Sequence, residues 1–490
     1  MRPSCFPYHT LIEIYRSWGE DPGLPACLSG RRPGGLAHFV RLVLELKKLE
    51  VYERTGGFDS GLATGHKALS EARAAGLPLG QAQALLGLSG NFAGKSDYLR
   101  MKDVNEQALE LFVAYGNRQG QANALNNLGF VSRNRGGDIE SALSYYGQAL
   151  RSFEAIGDQA QIAVCLNNLS HVYLVEGDYD QALKSLGRAL DLTERIGDLR
   201  NQGICLSTIA MIQRRQGQAS LALASLERAL STFQSVGDRY SQAAALSNIG
   251  LYEAGLGNYP KALRCYQEAL RLATVLGDRT GMAFILSNFG SAHEALGDSE
   301  TAITCQERAL AIRRETGERR RLILSLVSVA RASLSLGDLA KARKEQDEAQ
   351  ALVQEQAIDK DLHSFVVQSA ASLALEAGEL EAAAREIESG LLLAEALSSK
   401  RHRAGLLSLR AQLRVKQGKW PGSEKDFTES ANLFGSLGDK AELAKVSYYF
   451  GHALLAHRES EKGCWYLAEA RRLWQAIGAE GWLAKFEDSS

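Results

Sequence analysis

The chain has 490 residues, 56 of them basic and 57 acidic, and a pI near 6.8, so no global field draws it to nucleic acid or to an anionic membrane. Arg2 is not followed by an apolar run of the kind a signal peptide needs, and the stretch from Phe39 to Leu46 is broken by Arg41, so neither a secretory signal nor a membrane span is visible. These exclusions point to a soluble, cytoplasmic protein with no nucleic-acid partner and no membrane insertion.

In chain order, residues 1–35 read as an irregular leader, since five of the eight prolines fall at or before Pro33. A short cap, a linker and the scar of a longer parent chain are its open interpretations. From residue 36 the chain becomes periodic. Ile156-Gly157-Asp158, Ile196-Gly197-Asp198, Val236-Gly237-Asp238, Leu276-Gly277-Asp278 and Thr316-Gly317-Glu318 recur at one spacing, and Leu437-Gly438-Asp439 rejoins the grid further on. A fixed period of this size signals a solenoid of stacked repeats instead of one globular core. Units start near 36, 76, 116, 157, 197, 237, 277, 317, 358, 398 and 438, which gives eleven complete units over residues 36–477 and a C-terminal capping segment at 478–490.

Within a unit, Leu166, Leu169 and Tyr173 fall at helical spacing in the first half, and Ala182, Leu186 and Ala189 in the second. Each unit is therefore predicted to be two amphipathic helices, and the fold class all-α. Glycine separates the halves at Gly56, Gly137, Gly177, Gly217, Gly257, Gly297, Gly337, Gly378 and Gly418, as a helix C-cap with positive φ requires. A small residue recurs near the end of the second helix, at Ala68, Ala108, Ala149, Ala189, Ala229, Ala269, Ala309, Ala349, Gly390, Ser430 and Ala470. A close helix crossing in every copy explains it. The aspartate after each inter-unit glycine is placed to cap the next helix. Cys165 and Cys205, like Cys265 and Cys305, lie one period apart, too far for a disulfide between stacked helices, and are expected to be small buried residues.

These residues resemble the tetratricopeptide repeat. Leu166-Asn167-Asn168-Leu169-Ser170-His171-Val172-Tyr173 with Gly177, Tyr179, Ala182, Leu186 and Ala189 carries the likeness, and the unit with Leu246, Ile249, Gly250, Gly257, Tyr259, Ala262, Tyr266 and Ala269 matches better. The chain is similar to the forty-residue variety found in Leu-Gly-Asn repeat adaptors, kinesin light chains and bacterial signalling proteins. The likeness is weakest at 36–115 and 358–477, where Lys48, Met101 and Arg410 occupy sites that are apolar or small in the family.

The resemblance implies a right-handed α-solenoid whose first helices line a concave groove, and a non-catalytic role in binding a protein or peptide segment there. It places groove asparagines at Asn127, Asn168, Asn248 and Asn288, with Thr208 and Ser328 at the matching sites and Asn126 and Asn167 beside two of them. An amide side chain offers both a donor and an acceptor and so can pair with a partner backbone of any sequence. Two alternatives stand beside groove contact: the asparagines brace adjacent first helices, or they face water. Flanking positions implied by the same matching are Phe130, Arg133, His171, Arg214, Arg215, Leu251 and Glu294. Asn126, Asn167, Ser207, Ser247, Ser287 and Val327 occupy the place where a terminal-carboxylate clamp would need lysine, which argues against such a ligand.

Other chemistry is weakly signalled. Gly90-Asn91-Phe92-Ala93-Gly94-Lys95-Ser96 has its glycines one residue too close for a phosphate loop and falls on an inter-helix turn. The histidines show no metal-ligand spacing, so no metal or cofactor is expected. Arg313, Arg314, Arg319, Arg320 and Arg321, followed one helix later by Glu345, Asp347 and Glu348, read as a locally paired face, with a docking patch for an acidic segment at the middle of the groove as the alternative. Trp420, Tyr448, Tyr449, Trp465, Tyr466 and Trp474 are expected to cap the solenoid in preference to forming a dimer contact. The sequence thus points to an interaction scaffold or adaptor, with a regulatory sensing module of a larger or associated signalling effector as the other reading.

Overall fold

A computed structural model describes residues 35–55, 57–95, 97–134, 138–317, 319–354 and 360–488. Residues 1–34 of the leader lie outside them, as do Gly56, Gly137 and Glu318. The described residues form twenty-three helices and no strand. Twenty-two of the helices follow one another as the first and second members of eleven repeats, as the period predicts.

The Gly-Asp dipeptide explains the sharp reversals. At Gly157 (φ +79°) the chain enters the left-handed region, and the Gly157 and Asp158 N–H groups donate back to the Glu154 and Phe153 carbonyls, closing the preceding helix. The Asp158 carboxylate then accepts from the Gln161 N–H at 3.1 Å and opens the next helix. One dipeptide stops one helix and starts another. Asp178, Asp198, Asp298 and Asp439 cap their helices in the same way.

The described chain divides into two compact units. The first runs to Ala245 and includes Leu276–Asp278. It contains α1 (Gly35–Thr55), α2 (Phe58–Ala75), α3 (Pro78–Gly94), α4 (Tyr98–Ala114), α5 (Arg118–Asn134), α6 (Ile139–Ile156), α7 (Gln159–Glu176), α8 (Tyr179–Ile196), α9 (Leu199–Arg215), α10 (Ala219–Ser235) and the start of α11 (Arg239–Gly255). Odd-numbered helices are the first, and even-numbered the second, of each pair. Tyr146, Phe153, Leu166, Leu186 and Cys165 share one core with Ala149 and Ala189. Each fully buried side chain of leucine size contributes about 1.5–3 kcal/mol.

The second unit comprises Leu246–Val275 and Arg279 onward. After the remainder of α11 come α12 (Tyr259–Leu276), α13 (Arg279–Leu296), α14 (Ser299–Thr316), α15 (Arg319–Ser335), α16 (Leu339–Gln354), α17 (Lys360–Glu376), α18 (Leu380–Ala396), α19 (Lys400–Lys416), α20 (Trp420–Leu437), α21 (Lys440–Ala456), α22 (Ser460–Ile477) and the unpaired α23 (Glu480–Asp488). The recurrent small residue sits where predicted: a Cβ on Gly390 of α18 would lie 2.8 Å from Leu406 of α19 and 3.2 Å from Val367 of α17. Arg410 forms a bidentate pair with the buried Asp426 at 2.8 and 2.9 Å, and Arg414 joins the same carboxylate at 2.6 Å.

One packing relation in the second unit has no precedent in the repeat pattern. Trp474, Ile477 and Ala479 from the end of the chain share a core with Tyr259, Ala262 and Tyr266 of α12. Trp474 is fully buried and stacks on Trp482, ring centres 5.3 Å apart. The last repeat thus closes onto the first repeat of its own unit. Trp465 differs from its aromatic neighbours in keeping 61% of its surface exposed.

Candidate functional site

In the first unit the predicted asparagines form a hydrogen-bonded ladder that links α5, α7 and α9 to one another and α5 to the second helix α4. Asn127 Nδ2 donates to Asn105 Oδ1 at 3.0 Å, and Asn105 donates to Ser89 Oγ at 2.6 Å. Asn168 of α7 donates to Asn126 Oδ1 of α5 at 3.0 Å. Thr208 of α9 donates to the buried Asn167 Oδ1 at 2.9 Å. These contacts are bracing ones, which hold α5, α7 and α9 in register. They use the donor end of Asn168 and the acceptor end of Asn126. A crevice of about 190 Å³ lies between α7 and α9, lined by Val164, Asn167, Asn168, Asn201, Ile204 and Cys205.

Beside the ladder, Arg133 of α5 lies over the Phe130 ring at 5.1 Å. Its Nη1 is buried without a hydrogen-bond partner. His171 of α7, half-buried, feels the same guanidinium: burial first, and Arg133 second, lower its pKa to about 4. The imidazole is therefore neutral at physiological pH. Arg214 and Arg215 are exposed at the end of α9. Asn126, Asn127, Asn167, Asn168, His171, Arg214 and Arg215 thus all belong to the first unit.

Asn248 and Asn288 belong to the second unit, so the structure does not gather all the predicted residues on one body. Asn288 is half-buried, with Nδ2 enclosed and unpartnered. Beyond it, Glu294 accepts from Arg331 at 2.7 Å, and Glu442 pairs with Lys445 at 2.9 Å. Burial works against the charge on Lys445, yet Glu442 and Glu294 hold its pKa above the usual lysine range. Burial likewise opposes the Glu442 charge, but Lys445, Arg401 and Arg331 keep its pKa low. Charges from α13, α15, α19 and α21 therefore act on one another within the second unit. Arg331, Glu442 and Lys445 escape sequence reasoning, although Arg331 holds the same repeat position as His171 and register alone marks it.

The remaining motifs become structural. The glycine-rich stretch after Gly90 is the end of α3, where Lys95 pairs with Asp59. Arg314 binds Glu345 and Glu348, Arg313 is buried against Ser325 and the Arg321 carbonyl, and Arg321 lies over Phe284. That is the locally paired arrangement. Among the described residues no cluster of His, Cys, Asp and Glu could hold a metal, and no helix is long and apolar enough to cross a membrane. Cys165, Cys205 and Cys305 are buried.

Residues 161–235 and 241–315 match the tetratricopeptide repeat family model, and residues 294–376 match that of anaphase-promoting complex subunit 5. No curated protein sequence matches the chain. Among solved structures it is similar to a signal transduction ATPase with numerous domains from Pyrococcus horikoshii that carries a tetratricopeptide repeat sensor. Identity is 15%, the TM-score 0.50, and coverage 68% of this chain and 52% of that one. The chain thus spans about half the length of that protein. A Rap protein complexed with competence and sporulation factor aligns at 16% identity and TM-score 0.49, over 73% and 98% of the two chains. The quorum sensor NprR from B. thuringiensis aligns at 16% and 0.42, over 80% and 98%. At these identities the likeness concerns the fold alone.

Proposed function

Taking the chain as an array of tetratricopeptide repeats, we propose that it is a non-catalytic interaction module that binds an extended or helical segment of a protein partner along the first-helix face of α5, α7 and α9. The observation that carries this reading is the cross-helix ladder. It fixes Asn126 and Asn168 and leaves the Asn126 amide donor and the Asn168 carbonyl oxygen outside that bond, the two kinds of group a partner backbone needs. The neighbouring crevice and the exposed Arg214 and Arg215 extend the face. The experiment is capture from native lysate with the wild-type chain and with an Asn126→Ala, Asn168→Ala variant of unchanged helicity, read by mass spectrometry. Loss of specific proteins with the variant supports the module; identical captured sets exclude this face.

A second reading, a ligand-sensing module of a larger or associated signalling effector, takes its support from the closure of α22 and α23 onto α12. A contact between the last repeat of the second unit and the first repeat of that unit is one that ligand binding can make or release. The sensor role named for the archaeal protein adds to it. A change in Trp474 and Trp482 fluorescence on adding a captured peptide would favour sensing over plain scaffolding.

A further inference from the structure

The repeat register allows one site to be compared with another in the same chain. Arg133 is the eighteenth residue of the unit starting at 116, and Glu294 the eighteenth of the unit starting at 277; His171 and Arg331 are both the fifteenth residue of the following units. In the second unit this cross-repeat pair is a salt bridge, Glu294 to Arg331 at 2.7 Å. In the first unit the carboxylate of the pair is replaced by a guanidinium and the guanidinium by an imidazole. Nothing among the described residues supplies the missing carboxylate: Arg133 Nη1 is buried and unpartnered, while its π-contact with Phe130 holds the group in place.

We propose that Arg133 and His171 form a receptor for an acidic side chain, the aspartate or glutamate of a partner segment lying across α5 and α7. The proposal rests on the groove reading above and names its ligand chemistry. Charge complementarity selects the occupant: a carboxylate entering here restores the acid–base pair that the equivalent position of the second unit builds internally. Charge-assisted hydrogen bonds from a preformed guanidinium are the strong kind. An unpartnered, partly enclosed guanidinium has the most to gain from them. A bound carboxylate would also favour imidazolium and so raise the His171 pKa as the ligand enters.

The test uses the full chain and three fluorescein-labelled twelve-residue peptides of serine alternating with glutamate, glutamine or lysine. Anisotropy titrations at low salt should give a Kd at least tenfold lower for the glutamate peptide than for the glutamine one. Arg133→Lys should retain part of that preference. Arg133→Glu, which installs the acid found at position 294, should reverse it towards the lysine peptide. In chain carrying 13C-labelled histidine, the His171 resonance, assigned with His171→Gln, should move to a higher pKa on adding the glutamate peptide. Equal binding of the glutamate and glutamine peptides, weakened by Asn168→Ala, overturns the acidic receptor and leaves the groove reading intact. A glutamate preference that survives Arg133→Glu also overturns it. If no peptide binds, the receptor falls, while lysate capture still judges the groove.

Discussion

Gly297 and Gly481 meet backbone to backbone: a Cβ on Gly481 would lie 2.6 Å from the Gly297 carbonyl carbon and oxygen, and one on Gly297 would lie 2.5 Å from the Trp482 nitrogen. The turn after α13 and the start of α23 can therefore touch only because both residues lack a side chain. Gly481→Ala should push α23 away from α13 at a cost of roughly 1–3 kcal/mol to the second unit. Tryptophan emission should shift to the red as the Trp474–Trp482 stack loosens, and α22–α23 should lose amide-exchange protection; unchanged protection would mean that the contact is not tight.

The helix crossings make a parallel prediction in the first unit. Ala229 is fully buried and packs with Leu206, Phe233 and Ala245. Ala229→Leu should overpack that crossing by about 1–3 kcal/mol, seen as a lower urea midpoint with no loss of helicity at low denaturant.

The ladder has a measurable stability of its own. Asn168→Ala removes the bond to Asn126, at a net cost of about 0.5–1.5 kcal/mol. A double-mutant cycle with Asn126→Ala should return a coupling energy of similar size. Zero coupling in urea denaturation would mean that the bond contributes nothing to helix register.

Asp426 is buried between two arginines. Asp426→Ala should cost about 3–5 kcal/mol, because Arg410 and Arg414 would then lack their counter-charge in a poorly solvated site. The loss should appear as a lower thermal midpoint, and Arg410→Met in the same chain should recover part of it.

Acid should destabilise the first unit through His171. Its folded pKa, about 4, lies below the usual histidine value of roughly 6.5. Above the higher value neither state binds the proton and the group has no effect. As pH falls through 6.5 the unfolded chain takes up the proton first, and stability drops until the folded state is also protonated near pH 4. At pH 5 the penalty is about 2 kcal/mol. Relative to its own stability at pH 7, His171→Gln should lose less than the wild type at pH 5; equal losses would show that the imidazole is not held neutral.

The sequence by itself determined the period, the helix pairs, the Gly-Asp turns and the small residue at each crossing. Each of these is local: a left-handed glycine, a carboxylate within reach of an N–H three residues on, an apolar stripe at helical spacing. Identical chemistry at equal intervals makes such signals reinforce one another, and so they were legible without coordinates. The sequence also named Asn126, Asn127, Asn167 and Asn168, but only the structure paired their amides with one another and with Ser89, Asn105 and Thr208, because which of two adjacent asparagines faces a neighbouring helix depends on helix rotation. The division near Ala245, the return of Trp474 and Trp482 to Tyr259 and Gly297, and the unpartnered Arg133 Nη1 among the described residues were decided by tertiary structure. They depend on small rotations accumulated over many repeats, which bring together residues about 180 to 220 positions apart in sequence. No local pattern records such a sum.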